Sequence, residues 1–372
     1  MSFRVCHVVP HLPPAQEGIG LYALTLAGEL RRNEGIESAF VVASPRWRPG
    51  AGTPQGAVAL DERTAEGLRA AVARCGPVDR VLLHYVGYGY QEEGLPFWLL
   101  RAVRELPVPV VIAYHEMWAT GPFWKKVFYT VPFQKAIARR LLRAASGAYT
   151  TVGCYDRLLR SLQRPDEDKV VGPISGFGLR PGARQEKNGE GLRLLLYGLP
   201  FTRLLAIRAH RALLRRWNGA GAIGKIVVMG RASDGGEMAE LAALGIAPDR
   251  IESRIDLPEE ALREVLAGAD LYLTGYRACL IGKSTTVLSA LASGCPVLAV
   301  DGRDAEPLRE GVQFFSPDEF RRAQSPSPSQ NDLPSRERLA EVGEAGRRWW
   351  ETEGAPERVA AKIAALLRRT EG

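Results

Sequence analysis

The 372-residue chain has no apolar run approaching the roughly 20 residues that a membrane-spanning helix needs. Its opening, MSFRVCHVVPHLPP, lacks the basic segment, long apolar stretch and small-residue cleavage site of a secretory signal. Cysteine is scarce and scattered, at Cys6, Cys75, Cys154, Cys279 and Cys295. No two are close enough for a zinc site, and an odd count argues against a disulfide framework, so a reducing, cytoplasmic setting is expected. Two phosphate-binding signatures are missing as well. Gly282-Lys283-Ser284 ends like a P-loop, but the place of its first glycine is held by Arg277. Gly87-Tyr88-Gly89 and Gly176-Phe177-Gly178 lack the third glycine of a dinucleotide fingerprint. A P-loop NTPase and a nicotinamide dehydrogenase are therefore set aside. No basic motif with interleaved aromatics appears, so no nucleic-acid partner is expected.

What is present suits two globular domains: 46% of residues are apolar and 24% charged. The net charge of +7 favours acidic partners such as phosphates, nucleotides or anionic headgroups, although a merely basic surface would read the same way.

Short apolar runs alternate with helical stretches along the whole chain. Phe3–Val9, Ala39–Ala43, Val78–His84, Val108–Tyr114 and Ala148–Val152 read as strands, with helices over Tyr22–Arg32 and Thr64–Cys75. Leu179–Gly191 is polar and glycine-containing, as a linker would be. The alternation then restarts with strands at Arg193–Tyr197, Lys225–Gly230, Leu271–Thr274 and Pro296–Val300. Helices are expected at Thr202–Trp217, Glu237–Leu244, Pro258–Ala267 and Thr285–Ala292. Ser325–Ser335 is a proline- and serine-rich loop, and Arg336 to the end is helical with Trp349 and Trp350 as apolar anchors. Such alternation predicts an α/β fold with two parallel, helix-covered sheets. The predicted boundaries are 1–178 for the first domain, 179–191 for the linker, 192–348 for the second domain and 349–372 for a C-terminal helix returning toward the first.

Ligands of such sheets bind where strands lead into helix N-termini. Gly18-Ile19-Gly20 follows the first strand, where glycines leave backbone N–H groups open to phosphate or sugar oxygens. An ordinary strand-to-helix turn has the same pattern. His115-Glu116 ends the Val108–Tyr114 strand, and a histidine there can polarise a ligand oxygen while a neighbouring carboxylate sets its tautomer. A half-buried structural histidine is the plainer alternative, and His84 is a weaker candidate. The sharpest signal is Gly282-Lys283-Ser284-Thr285-Thr286, preceded by Arg277. It sets a lysine, hydroxyls and free N–H groups at a helix N-terminus, an anion site unless it is only a Ser/Thr cap. In Phe123–Arg143, Lys135, Arg139 and Arg143 share one helix face beside the apolar stripe Phe133, Ile137 and Leu141. That fits an anionic membrane surface, and equally a solvated face over a core stripe.

These pieces together resemble the glycosyltransferase family 4 group, of the GT-B fold. VCHVVPHLPPAQEGIGLYALTLAGEL is similar to that family's opening strand, glycine loop and first helix, and LRLLLYGLPFTRLLAIRAHRALL to the opening of its second domain. IVVMGRAS, LAALGIAPDRI, LREVLAGADLYLTGY and ALASGCPVLAV follow in the family's order. The resemblance implies two Rossmann-like domains facing a central cleft, with the acceptor on the first and the donor on the second. It implies retaining transfer from a nucleotide-diphosphate sugar to a glycan, lipid-linked or small-molecule acceptor, with no metal or other cofactor. His115 and Lys283 become the expected catalytic groups. Gly18, Ile19, Gly20, Glu116, Gly198, Arg203, Arg231, Arg277, Gly282, Ser284, Thr285, Thr286 and Ser289 become the expected substrate contacts. The chain departs from the family where two glutamates are usual: these positions are Ile281 and Ser289. Leu199 and Leu204 stand where the family has an arginine and a lysine, leaving Arg203 as the nearest cation. The alternative is a catalytically degenerate GT-B-like partner in polysaccharide assembly.

Overall fold

A computed structural model describes residues 2–15, 17–119, 121–183, 190–233, 235–322 and 335–369, with backbone alone at 321 and 322. Residues 184–189 of the expected linker 179–191, and 325–334 of the expected proline-rich loop 325–335, lie outside the described residues. The chain divides into two compact units, Met1–Ile174 with Pro356–Gly372, and Ser175–Ala355.

The first unit carries strands β1 (Arg4–Val9), β2 (Glu37–Val42), β3 (Val58–Ala59), β4 (Arg80–Tyr85), β5 (Val110–Tyr114), β6 (Gly147–Thr150) and β7 (Val170–Val171). They form one parallel sheet in the order β3-β2-β1-β4-β5-β6-β7. Helices α1 (Gly18–Glu34), α2 (Ala65–Arg74), α3 (Gly87–Tyr90), α4 (Phe97–Glu105), α5 (Lys126–Ala144) and α6 (Gly153–Leu162) make the crossovers. The strands read as continuous apolar runs because both faces are covered; all five residues of β5 are buried. Helix α1 begins at Gly18, four residues before its expected start, because Gly18, Ile19 and Gly20 form its first turn. A Cβ on Gly20 would lie 2.5 Å from the His11 carbonyl oxygen, so this helix start seats only against glycine.

The second unit carries β8 (Leu192–Gly198), β9 (Ile223–Gly230), β10 (Ile251–Ile255), β11 (Leu271–Leu273) and β12 (Val297–Leu298), parallel in the order β10-β9-β8-β11-β12. Its helices are α7 (Pro200–Ala209), α8 (Arg211–Gly219), α9 (Gly236–Ala242), α10 (Glu259–Gly268), α11 (Thr285–Ala292), α12 (Pro317–Arg322) and α13 (Arg336–Trp349). The single helix expected over Thr202–Trp217 is two, broken at His210, whose ring is buried with Nε2 2.9 Å from the Thr274 carbonyl oxygen. Strand β10 escapes the sequence reading because IESRI is not an apolar run and none of its residues is buried. Trp349 and Trp350 are buried in this unit's core.

The last helix, α14 (Pro356–Arg368), belongs to the first unit and lies along α1, where Arg368 reaches Glu34 at 2.8 Å. Ile363 and Leu367 are fully buried there, and Leu366 fills the space beside Gly147, where a Cβ would approach it to 2.7 Å.

Strand order reverses between β1 and β4 in the first unit and between β8 and β11 in the second. The crevice at the carboxyl ends of such strands is where open α/β sheets take ligands.

Candidate functional site

At the switch point of the first unit, polar side chains line one face of the sheet. Ser38 lies opposite Val5, two residues before His7. His7 lies opposite Leu82, two before His84, and His84 opposite Ala113, two before His115. Side chains two residues apart share a sheet face, so these four make a diagonal that climbs toward the carboxyl edge. Ser38 Oγ is 3.2 Å from His7 Nε2, His7 Nδ1 is 3.0 Å from His84 Nε2, and His84 Nδ1 is 3.0 Å from His115 Nε2. Adjacent rings are nearly parallel, with centroids 5.3 Å apart. His7 and His84 are fully buried, whereas Ser38 and His115, at the two ends, are half-buried. Burial pushes His7 down to about 3; burial, then the neighbouring His115 and His7, push His84 well below the usual imidazole range. Both buried rings are therefore neutral, each with one donating and one accepting nitrogen.

Tyr22, on α1, sets its ring edge-on to His115 at 4.8 Å, and its hydroxyl lies 3.2 Å from that of Tyr149. Glu116 is exposed at the same edge. Glu17, just before the first turn of α1, was not among the sequence candidates. Its Oε2 is buried with no hydrogen-bond partner among the described residues. Burial, then the charge of Glu116, raises its carboxyl to about 6. Beside them a pocket of about 50 Å³ is lined by Tyr85, Tyr88, Glu116, Met117, Trp118 and Gln134 among others.

In the second unit the edge is built differently. Gly198 ends β8 with φ 133° and Gly230 ends β9 with φ 124°; a Cβ on Gly230 would lie 2.1 Å from the Gly198 oxygen. Only glycine admits both the backbone angle and this approach. After β11 the chain passes Gly275 and Arg277, makes a 3-10 turn over Ala278–Lys283 and enters α11. Ser284 caps α11, its Oγ accepting from the Val287 N–H at 3.5 Å. Thr286 Oγ1 lies 3.0 Å from Ser284 Oγ and 2.9 Å from the Tyr272 hydroxyl, which in turn donates to the Tyr197 carbonyl oxygen. Lys283 is half-buried and Thr285 exposed at the helix start. Gly282 is buried, and its carbonyl accepts from the Gly176 N–H at 3.1 Å. The turn thus presents Lys283, Thr285 and the first N–H groups of α11, which favour an anion by charge and by helix dipole.

Two expected contacts are buried in the second unit. Arg203 is 1% exposed: its Nε donates to Glu237 Oε1 at 2.8 Å and its Nη1 to the Gly198 oxygen at 2.6 Å. It holds α7 to α9 and β8, and its charge is already neutralised by Glu237. Ser289 is fully buried, accepting from the Leu179 N–H at 2.8 Å and donating to the Thr285 oxygen at 2.6 Å, so it is a brace inside α11 and not a surface contact. Ile281, the other glutamate-equivalent position, is also in the core. Arg277 is exposed and bound to Asp301 at 2.8 Å, and Arg231 is exposed 3.4 Å from Asp256.

No family model matches the sequence, and no characterised protein matches it at the sequence level. Solved structures do share its architecture. Sucrose-phosphate synthase from Thermosynechococcus elongatus aligns over 98% of each chain at 15% identity, with a TM-score of 0.65. A protein assigned as a UDP-N-acetylglucosamine 2-epimerase from Listeria monocytogenes aligns over 98% of this chain and 95% of its own, at 12% identity and TM-score 0.53. TarM aligns over 78% of this chain and 55% of its own, at 12% identity and TM-score 0.50. The two parallel sheets and these neighbours define the chain as an α/β protein of the GT-B fold.

Proposed function

We propose that the protein is a glycosyltransferase that takes a sugar from a nucleotide-diphosphate donor. The observation that carries this is the turn Gly282–Thr286. A lysine, a hydroxyl and the N-terminal turn of an eight-residue helix lie together there at the switch point of a GT-B sheet. In this reading Lys283 and the first turn of α11 hold the diphosphate, and the edge of the first unit that carries His115 and Glu116 receives the acceptor. The fixed charge of Lys283 would meet the charge that grows on the departing diphosphate, with no metal or other cofactor. The likeness to sucrose-phosphate synthase supports the class of reaction; sugar, acceptor and retention of configuration rest on the family resemblance.

A lipid-linked acceptor at the inner face of a membrane fits one further surface. Phe123, Trp124, Phe128, Tyr129 and Phe133 are each about half to three-quarters exposed at the start of α5, beside exposed Lys125, Arg139 and Arg140. No helix among the described residues is long and apolar enough to cross a membrane, so such contact would be peripheral.

Calorimetric titration with nucleoside diphosphates and their sugar esters, in EDTA and then in magnesium, tests the reading. Binding that is equal in both is expected; binding that requires magnesium overturns the metal-free site, and no binding at all overturns the donor assignment. The second reading, a non-catalytic GT-B partner, is favoured by Ile281 and Ser289 lying buried where the family resemblance calls for glutamates. Donor binding without any acceptor-dependent release of nucleoside diphosphate would establish it.

A further inference from the structure

We infer that Ser38, His7, His84 and His115 form a proton relay that joins the reacting edge of the first unit to the opposite end of its sheet. The inference rests on the proposed function only in naming the acceptor hydroxyl as the source of the proton.

The geometry leaves two arrangements. Two neutral rings 3.0 Å apart cannot both donate or both accept along the line that joins them. If His115 carries its proton on Nε2, it donates to His84 Nδ1. His84 must then donate from Nε2 to His7 Nδ1, and His7 from Nε2 to Ser38 Oγ. In the other arrangement Ser38 donates to His7 Nε2, His7 Nδ1 to His84 Nε2 and His84 Nδ1 to His115 Nε2. The tautomer at one end therefore fixes the tautomer at the other. Burial keeps the two middle rings neutral, so the line moves protons by exchanging tautomers and stores no charge in the core.

An acceptor hydroxyl loses its proton as its oxygen bonds to the sugar, whichever face of the sugar is attacked. The proton enters at His115 Nδ1. The Nε2 proton of His115 passes to His84 Nδ1, that of His84 to His7 Nδ1 and that of His7 to Ser38 Oγ. Ser38 releases its own proton to water at the half-buried start of β2. One proton enters, one leaves, and no residue changes charge. His115 is then the group that touches substrate, while His84, His7 and Ser38 are positioning residues that set its tautomer; between turnovers the line resets in reverse, a proton entering from water at Ser38 and the Nδ1 proton of His115 leaving to water at the edge. A lone structural histidine needs no such partners. Three in register on successive neighbouring strands, ending at a hydroxyl with access to water, are what a relay requires.

The test follows imidazole nitrogens by two-bond proton–nitrogen correlation in the full-length labelled protein. In the wild type at pH 7, His7 and His84 are expected to be neutral, and the three rings to share one tautomer or to exchange together. Ser38→Asp anchors the far end with an acceptor and should drive all three to the Nε2–H form, His115 included. The relay is overturned if His115 ignores Ser38→Asp, if adjacent rings hold opposite tautomers, or if either buried ring is protonated. Where transfer is measured, His7→Phe should lower kcat on the order of 100-fold, near the low end for a positioned proton-transfer group, with donor KM unchanged. A solvent isotope effect involving several protons in the wild type should become a one-proton effect. An unchanged kcat and isotope effect in folded His7→Phe overturn the relay. Should that variant not fold, Ser38→Asp decides. If no donor supports transfer, the functional reading fails by itself and the tautomer measurements still decide the relay.

Discussion

The two units share a parallel sheet with a switch point and bury polarity beneath it in opposite ways. The first buries neutral imidazoles, His7 and His84, that hold one another by hydrogen bonds across strands. The second buries a full charge pair, Arg203 with Glu237, braced on the Gly198 carbonyl. A neutral line can shift its protons without changing the charge of the core. A buried ion pair cannot give up either partner without leaving a desolvated charge. The first arrangement suits chemistry, the second rigidity. The exposed edges differ correspondingly, with Glu17, Glu116 and His115 in one unit and Lys283 and Thr285 in the other.

The largest effect expected is from breaking the charge pair. Glu237→Leu should destabilise the second unit by about 3–5 kcal/mol, because Arg203 is left charged and dry. Adding Arg203→Met should recover most of the loss, since two apolar groups of similar size replace the pair. Urea unfolding of the single and double variants measures both. If the single variant loses less than about 1 kcal/mol, the pair is a surface contact in effect, and Arg203 returns as a ligand candidate.

Acid should separate the units next. The native values of His7, about 3, and of His84 lie below the unfolded imidazole value of 6.5. Their neutral burial therefore stabilises fully above pH 6.5, and this is lost as pH falls from 6.5 toward 3. At pH 5 His7 forfeits about 2 kcal/mol, and His84 adds a loss in the same direction. The second unit has one comparable ring, His210, which burial lowers to about 4. Hydrogen exchange followed segment by segment at pH 8 and pH 5 should show the larger loss of protection in β1, β2 and β4. Equal losses in both units would remove the contrast.

Lys283→Ala tests the cationic edge. Turnover should fall on the order of 100-fold with a smaller change in donor affinity, as for other single electrostatic donors to a growing anion. Lys283→Arg should recover part, because a broad planar guanidinium replaces a compact point charge. Thermal stability should barely move. Near wild-type turnover in Lys283→Ala would make the turn a helix cap alone.

The sheets were legible in the sequence because apolar runs of four to eight residues carry their own signal: β1, β4, β5 and β9 fall within two or three residues of expectation. The glycine–lysine turn was legible as well, through a cap motif that is local in sequence. What was not legible depends on register and on depth. His7 lies in an apolar strand where one polar residue carries no message. Its bond to His84 exists only because β1 and β4 pair with His7 opposite Leu82, and register is not written in either strand alone. Arg203 and Ser289 look like surface groups by composition. Helical phase turns both inward, and for Arg203 the partner Glu237 lies 34 residues further on. Glu17 was passed over because a glutamate before a glycine loop is unremarkable until burial of its oxygen is known.

Glu17 is the smallest and most selective test of the difference between the edges. Its carboxyl is raised to about 6 from an ordinary 4.5, first by burial and then by Glu116. The folded state thus holds the proton more tightly than the unfolded chain does. The resulting stabilisation is complete below pH 4.5 and is lost as pH rises through 6. Above that, a charged Glu17, one of whose oxygens has no hydrogen-bond partner among the described residues, weighs against the native fold. Glu17→Gln keeps the shape and removes the charge. At pH 8 it should raise stability by about 1 kcal/mol, after allowance for the partial exposure of the group. At pH 4.5 it should change little. Urea midpoints of wild type and variant at the two pH values give the comparison. If the edge shared with His115 and Glu116 receives the acceptor as proposed, Glu17 supplies there a carboxyl that changes charge near pH 6. Glu17→Gln should then flatten the acid limb of the kcat/KM profile near pH 6. If instead the variant is less stable at pH 8, Glu17 makes a favourable contact in its charged form, and its place in the site must be withdrawn.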